Sequence, residues 1–172
     1  MKILVLVEGP TDAAIVEVIS KKVRCNVSTY IMRGNRLRKI RRILHVYQHV
    51  DRIIVLKDLH RYSEDTLTDI MRKIERMDNR ITCIIVKRAI ESWILADPSC
   101  LERKYKIKVE IHNPEELEDP AEELDRILRR IGRRYIKNYK FAKSLAECID
   151  ISNAATRSKS LARFIKALKS KI

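Results

Sequence analysis

The first half of the chain is dominated by short, unbroken apolar runs that alternate with longer amphipathic stretches. The runs fall at residues 2–7, 26–32, 52–57 and 80–86. A run such as Ile3-Leu4-Val5-Leu6-Val7 has no polar residue at every second position. A strand of that kind must be covered on both faces, and parallel sheets provide that. Parallel neighbours cannot be joined by tight hairpins and need a crossover, most often a helix. The intervening segments fit that role. One opens at Gly9-Pro10-Thr11 and runs to about residue 23, with Ile15, Val16, Val18 and Ile19 on its apolar side. The second, 36–50, carries Leu37, Ile40, Leu44 and Tyr47 on one stripe, and the third, 63–77, carries Leu67, Ile70 and Ile74. The expectation is an α/β fold: a mostly parallel sheet with helices on both faces.

A short helix over 89–96 ends near Asp97-Pro98, and there the pattern changes. Helices are expected at 121–137, with Leu124, Ile127, Leu128 and Ile131 in register, and at 158–171, with Leu161, Phe164, Ile165 and Leu168. Both are too apolar on one face to stand alone. The organisation expected is an α/β core over 1–98 and a helical extension over 99–172 packed on it.

Formal net charge is +14, from 37 Lys and Arg against 23 Asp and Glu. Such an excess attracts polyanions, and nucleic acid, DNA or RNA, is the expected partner. Two clusters are candidate phosphate contacts. One holds Arg33, Arg36, Arg38, Lys39, Arg41 and Arg42; the other, within 126–143, holds Arg129, Arg130, Arg133 and Arg134. With aromatic residues at 5%, base stacking is not the evident mode of binding. The four cysteines, 25, 83, 100 and 148, form no CxxC pair, so free thiols and a cytoplasmic protein are expected. No apolar run approaches the ~20 residues of a spanning helix, so no membrane role is expected. A homodimer is left open.

Three acids stand where α/β sheets form sites, outside the carboxyl ends of strands. Glu8 follows the first run, Asp58 follows the third, and Asp12 lies one helical turn after Glu8. Carboxylates aimed at one point raise one another's pKa, and a divalent cation with oxygen ligands, Mg²⁺ or Mn²⁺, removes that conflict. The competing structural reading is that these acids cap a helix or pair with Lys57 or Arg61. Glu91 opens the helix after the fourth strand, where it could hold a second ion or simply complement the helix N-terminus. Trp93, between Ile90 and Ile94, reads as core.

Val7-Glu8-Gly9-Pro10-Thr11-Asp12 followed by Leu56-Lys57-Asp58 resembles the Toprim domain of topoisomerases, primases and OLD-type nucleases. The Glu8–Asp12 spacing is similar to the OLD-type branch, where both acids bind metal. Ile90-Glu91-Ser92-Trp93-Ile94-Leu95-Ala96-Asp97 is similar to a motif of a small Toprim-related family of unknown function. The resemblance implies a Toprim-like, Rossmann-like fold and metal-dependent phosphodiester hydrolysis or transfer. It implies metal ligands among Glu8, Asp12, Asp58, His60 and Glu91, and Glu8 as general acid or base. Lys140 and Lys143 are the candidates for steadying charge on the phosphate. One departure stands out: Asp58-Leu59-His60 puts histidine where the family has the second Asp of D-x-D. Histidine suits Mn²⁺ or a softer metal better than Mg²⁺. Two alternatives remain: a nucleic-acid-binding protein with a degenerate site, and a receiver-like signalling domain.

Overall fold

A computed structural model describes residues 1–33, 37–60 and 63–170, with backbone only at 37 and 38. Strands β1 (Ile3–Val7), β2 (Val27–Ile31), β3 (Arg52–Asp58) and β4 (Ile81–Val86) form one parallel sheet in the order β2-β1-β3-β4. The connecting helices are α1 (Pro10–Lys22), α2 (Leu37–Val46) and α3 (Glu64–Glu75). The rest of the chain adds α4 (Glu91–Leu95), α5 (Pro98–Tyr105), α6 (Pro120–Arg129), α7 (Tyr139–Ala146), α8 (Ile151–Arg157) and α9 (Lys159–Lys169). The expected α/β architecture is the observed one.

Both faces of the sheet are covered, which is why the central strands read as unbroken apolar runs. Ile3, Val5 and Val7 of β1 and Ile54 and Leu56 of β3 face α1, α4 and the helices of the tail, Leu124 and Phe164 among them. The alternate residues, Leu4, Leu6, Ile53 and Val55, face α2 and α3 through Ile40, Ile43, Leu67 and Ile74.

Buried polar contacts fasten the tail to this core. Trp93, fully buried as expected, stacks on Phe164 at 5.3 Å between ring centroids and donates its indole N–H to Ser160 Oγ at 2.8 Å. Arg52, buried at the start of β3, donates to the carbonyls of Ala167 and Ser170 at 2.6 and 2.8 Å, and so satisfies the open end of α9. Asp97 is completely buried and accepts from Ser99, Arg103, Asn153 and the Asp150 N–H, which joins α5 to the start of α8.

Three expectations need correction. The helix expected over 121–137 stops at Arg129. Gly132 takes φ +70, Arg133 N–H returns to the Leu128 carbonyl, and Tyr135 N–H bonds to Asp125, so the chain turns back instead of continuing. Helices α5, α7 and α8 were not expected from periodicity, being only 7–8 residues long. Their starts were nevertheless legible: Asp97-Pro98 opens α5, and the side chains of Asn138 and Asp150 cap α7 and α8. Finally, Cys100 and Cys148 are joined in a disulfide rather than free, because α5 and the end of α7 bring their Cα atoms within 5.0 Å. Cys25 and Cys83 are free. Among the described residues, no helix is long and apolar enough to cross a membrane.

Burial would raise the pKa of Asp97, but its hydrogen bonds outweigh burial and hold it below the ordinary carboxylate value. Its contribution to stability is therefore complete above the unfolded pKa of about 3.9 and is lost as pH falls through the lower folded value. Asp97→Asn is expected to cost about 2 kcal/mol at neutral pH. Urea unfolding at about pH 7 and about pH 3 should show the gap between variant and wild type narrowing in acid.

Candidate functional site

The chain leaves β1 toward β2 on one side and reaches β3 on the other. The crevice beyond their carboxyl ends is thus a topological switch point, where open α/β sheets form ligand sites. Glu8, Asp58 and the start of α1 all lie there.

Strand register sorts the side chains at this edge. Leu6 pairs with Val55, so two residues further on Glu8 comes beside Lys57. Side chains alternate between faces, which sends Glu8 and Lys57 to the α2 and α3 side and Asp58 to the α1 side. The contacts follow this division. Lys57 Nζ lies directly against Glu8 Oε1. The pairing with Lys57 anticipated as the structural reading of these acids is therefore real for Glu8.

Asp58 belongs to a different group. Burial, reinforced by Asp12 and Glu91, raises its pKa well above the ordinary value; the Ile90 N–H, 3.3 Å away, and Lys57 oppose the rise. Asp12 is raised to about 6, first by burial and also by Glu91, against a hydrogen bond from Gly9 N–H at 2.7 Å. Asp12 thus also closes the first turn of α1. Glu91, buried at the start of α4, accepts from Tyr135 OH at 3.1 Å and lies 3.6 Å from Lys137 Nζ.

His60 bridges the two groups, with Nε2 3.5 Å from Glu8 Oε2 and 3.8 Å from Asp58 Oδ2. Burial, then Lys57 and Lys137, lower its pKa, which favours the neutral imidazole that a metal needs. Both His60 (φ 43) and Arg88 (φ 63) are left-handed, and His60 N–H donates to the Arg88 carbonyl at 2.9 Å. That conformation costs a residue with a Cβ roughly 1–2 kcal/mol. Strain of this kind gathers where a side chain must be aimed.

Among the described residues, no three His, Cys, Asp or Glu side chains converge into a ready cage for an ion. The donor chemistry nevertheless suits a hard divalent cation. Asp12, Asp58 and Glu91 are oxygen donors whose mutual repulsion and burial a cation would relieve. In their present arrangement two ammonium groups supply compensating charge, Lys57 at Glu8 and Lys137 at Glu91.

Beside the acids lies a cleft of about 1060 Å³, lined by His60, Arg88 and Lys137 together with residues of α6. Tyr135 and Lys137 at this site were missed in the sequence, because the helix expected through residue 137 hid the loop that carries them. Lys140 and Lys143 are exposed on α7, and among the described residues no hydrogen bond or ion pair links them to the acids.

The two basic clusters differ. In the second, Arg129 and Arg134 bind Asp125, Arg130 donates to the Lys108 carbonyl, and Arg133 lies over the Tyr105 ring. In the first, Lys39 donates to the Met32 carbonyl, while Arg33, Arg41 and Arg42 are exposed. Arg36 and the side chain of Arg38 lie outside the described residues, as does Arg61.

Residues 7–169 match a family described as a domain of unknown function (DUF4276). Among curated proteins no match is found. Among solved structures, the fold is similar to the C-terminal region of the Burkholderia pseudomallei OLD protein. The TM-score is 0.55 at 12% identity, over 97% of this chain and 96% of that one. At that identity the likeness establishes a shared fold.

The Glu8–Lys57 pair can be measured. Lys57→Met should cost about 2–3 kcal/mol, since it leaves a half-buried carboxylate without its cation. The double variant Glu8→Gln, Lys57→Met should recover more than half of that loss. Strictly additive costs in urea unfolding would show that the two side chains do not interact.

Proposed function

The chain belongs to the DUF4276 family, and from its carboxylate crevice we propose that it is a divalent-cation-dependent enzyme that hydrolyses or transfers phosphodiester bonds in nucleic acid. The observation that carries this reading is the group of buried Asp58 and Glu91 with half-buried Asp12 at the switch point, where the pKa values of Asp58 and Asp12 are raised. The resemblance of Glu8-Gly9-Pro10-Thr11-Asp12 and Asp58 to Toprim centres supports it, and so does the fold shared with the OLD C-terminal region.

Asp58, Asp12 and Glu91 would hold Mg²⁺ or Mn²⁺, with His60 at the rim favouring Mn²⁺. When bound, the cation polarises a phosphoryl oxygen and acidifies a water. Glu8 keeps its second oxygen toward His60. Lys57 Nζ lies against its other oxygen and offers compensating charge to Glu8 as the candidate general acid or base. Lys140 and Lys143, exposed on α7, are the candidates for steadying charge on the phosphate. The net charge of +14 favours a polyanionic substrate. Arg33 follows β2 at the same edge of the sheet, and Arg41 and Arg42 extend an exposed basic surface along α2.

A second reading is favoured by the two lysines set against the acids: a protein that grips nucleic acid without cutting it. Incubation of plasmid and single-stranded RNA with Mn²⁺ or Mg²⁺ separates the two. The enzyme reading expects metal-dependent cleavage that falls at least about 100-fold in Asp58→Asn. Binding without cleavage supports the second reading, and absence of both excludes nucleic acid as the substrate.

A further inference from the structure

The loop between α6 and α7, residues 130–138, crosses the candidate site as a strap. It enters through the left-handed Gly132 and is fixed by a few polar contacts. Tyr135 N–H and Arg134 bind Asp125 at 2.7 and 3.2 Å, and Tyr135 OH binds Glu91 at 3.1 Å. Of its apolar side chains, Ile131 and Ile136 are exposed, while Tyr135 is half-buried against the core and edge-on to the Phe141 ring at 5.9 Å. Lys137 Nζ sits 3.6 Å from Glu91 Oε1, and its charge also acts on Asp12 and His60.

The two lysines at the site therefore differ in their mounting. Lys57 is mounted on β3, which is paired with β1 on one side and β4 on the other, and its side chain is only 8% exposed, so its ammonium leaves Glu8 for solvent less readily. Lys137 rides on a loop, is 58% exposed, and can swing into solvent at small cost. Glu91 is only 4% exposed, and an ionised carboxylate at that depth needs a cation beside it.

We propose that Lys137 is a built-in, displaceable counter-ion: it occupies Glu91 while the site is free of metal and is expelled, together with its strap, when a divalent cation binds. The proposal rests on the cation reading of the carboxylate group given above. It makes Lys137 a residue that sets the affinity of the site, and it makes the strap the element that reports occupancy. Metal binding and strap release are then coupled, and each weakens or strengthens the other to the same degree.

The test uses the full chain and two readouts that do not depend on catalysis. Mn²⁺ binding is followed by electron paramagnetic resonance for wild type and Lys137→Met, which keeps the stem and removes the charge. Limited trypsin digestion then follows cleavage after Arg133 and Arg134 in wild type, with and without Mn²⁺. The expected result is Mn²⁺ bound about tenfold more tightly by the variant, a moderate coupling, together with faster cleavage of the wild-type strap when Mn²⁺ is present. Equal or weaker binding by the variant overturns the proposal while leaving the cation site intact. Tighter binding with unchanged strap cleavage also overturns it, since Lys137 would then be a fixed neighbouring charge. Failure of both proteins to bind Mn²⁺ removes the cation reading and this proposal with it.

Discussion

Parallel pairing of β1 with β3 decides where the charged groups at the crevice go. The two strands run side by side with Leu6 opposite Val55. From that register and the alternation of side chains, Glu8 must neighbour Lys57, and Asp58 must turn to the other face, toward α1. One residue of slip would exchange those environments. Close packing of particular side chains on both faces, rather than an apolar–polar alternation, holds the register, so the core and the site are specified together.

The second consequence is electrostatic. Asp58 and Asp12 are held where burial and the neighbouring carboxylates, Glu91 among them, raise their pKa values. Such an arrangement stores unfavourable energy that other groups must offset. Lys57 and Lys137 do part of this, and Tyr135 and the N–H groups of Gly9 and Ile90 do more. The helical tail matters here as much as in packing. It shares the core of the α1 face through Leu124, Leu145 and Phe164, and its loop delivers both Tyr135 and Lys137.

Much of this was legible in the amino-acid sequence. Unbroken runs such as Ile3–Val7 identify strands buried on both faces, and the acids that follow the first and third runs, Glu8 and Asp58, mark the edge of the candidate site. Trp93 between Ile90 and Ile94 announces a core position. The rest was hidden for physical reasons. Which face Glu8 and Asp58 each take relative to the other depends on inter-strand register, which no single strand encodes. Ile131 continues the helical stripe of α6, yet Gly132 and the bond from Tyr135 N–H to Asp125 stop the helix before it. Contacts across 44 residues, such as Tyr135 with Glu91, leave no local pattern to read. The disulfide between Cys100 and Cys148 is similarly distant, at a sequence separation of 48.

The central claim is that Asp58, Asp12 and Glu91 together form a cation site. Anomalous diffraction from a crystal soaked in Mn²⁺ tests it most directly. The account predicts a manganese peak within coordination distance of carboxylate oxygens of Asp58 and of at least one of Asp12 and Glu91, with Lys137 no longer against Glu91. A density map with no peak at the crevice, and Lys137 still in place, would contradict it.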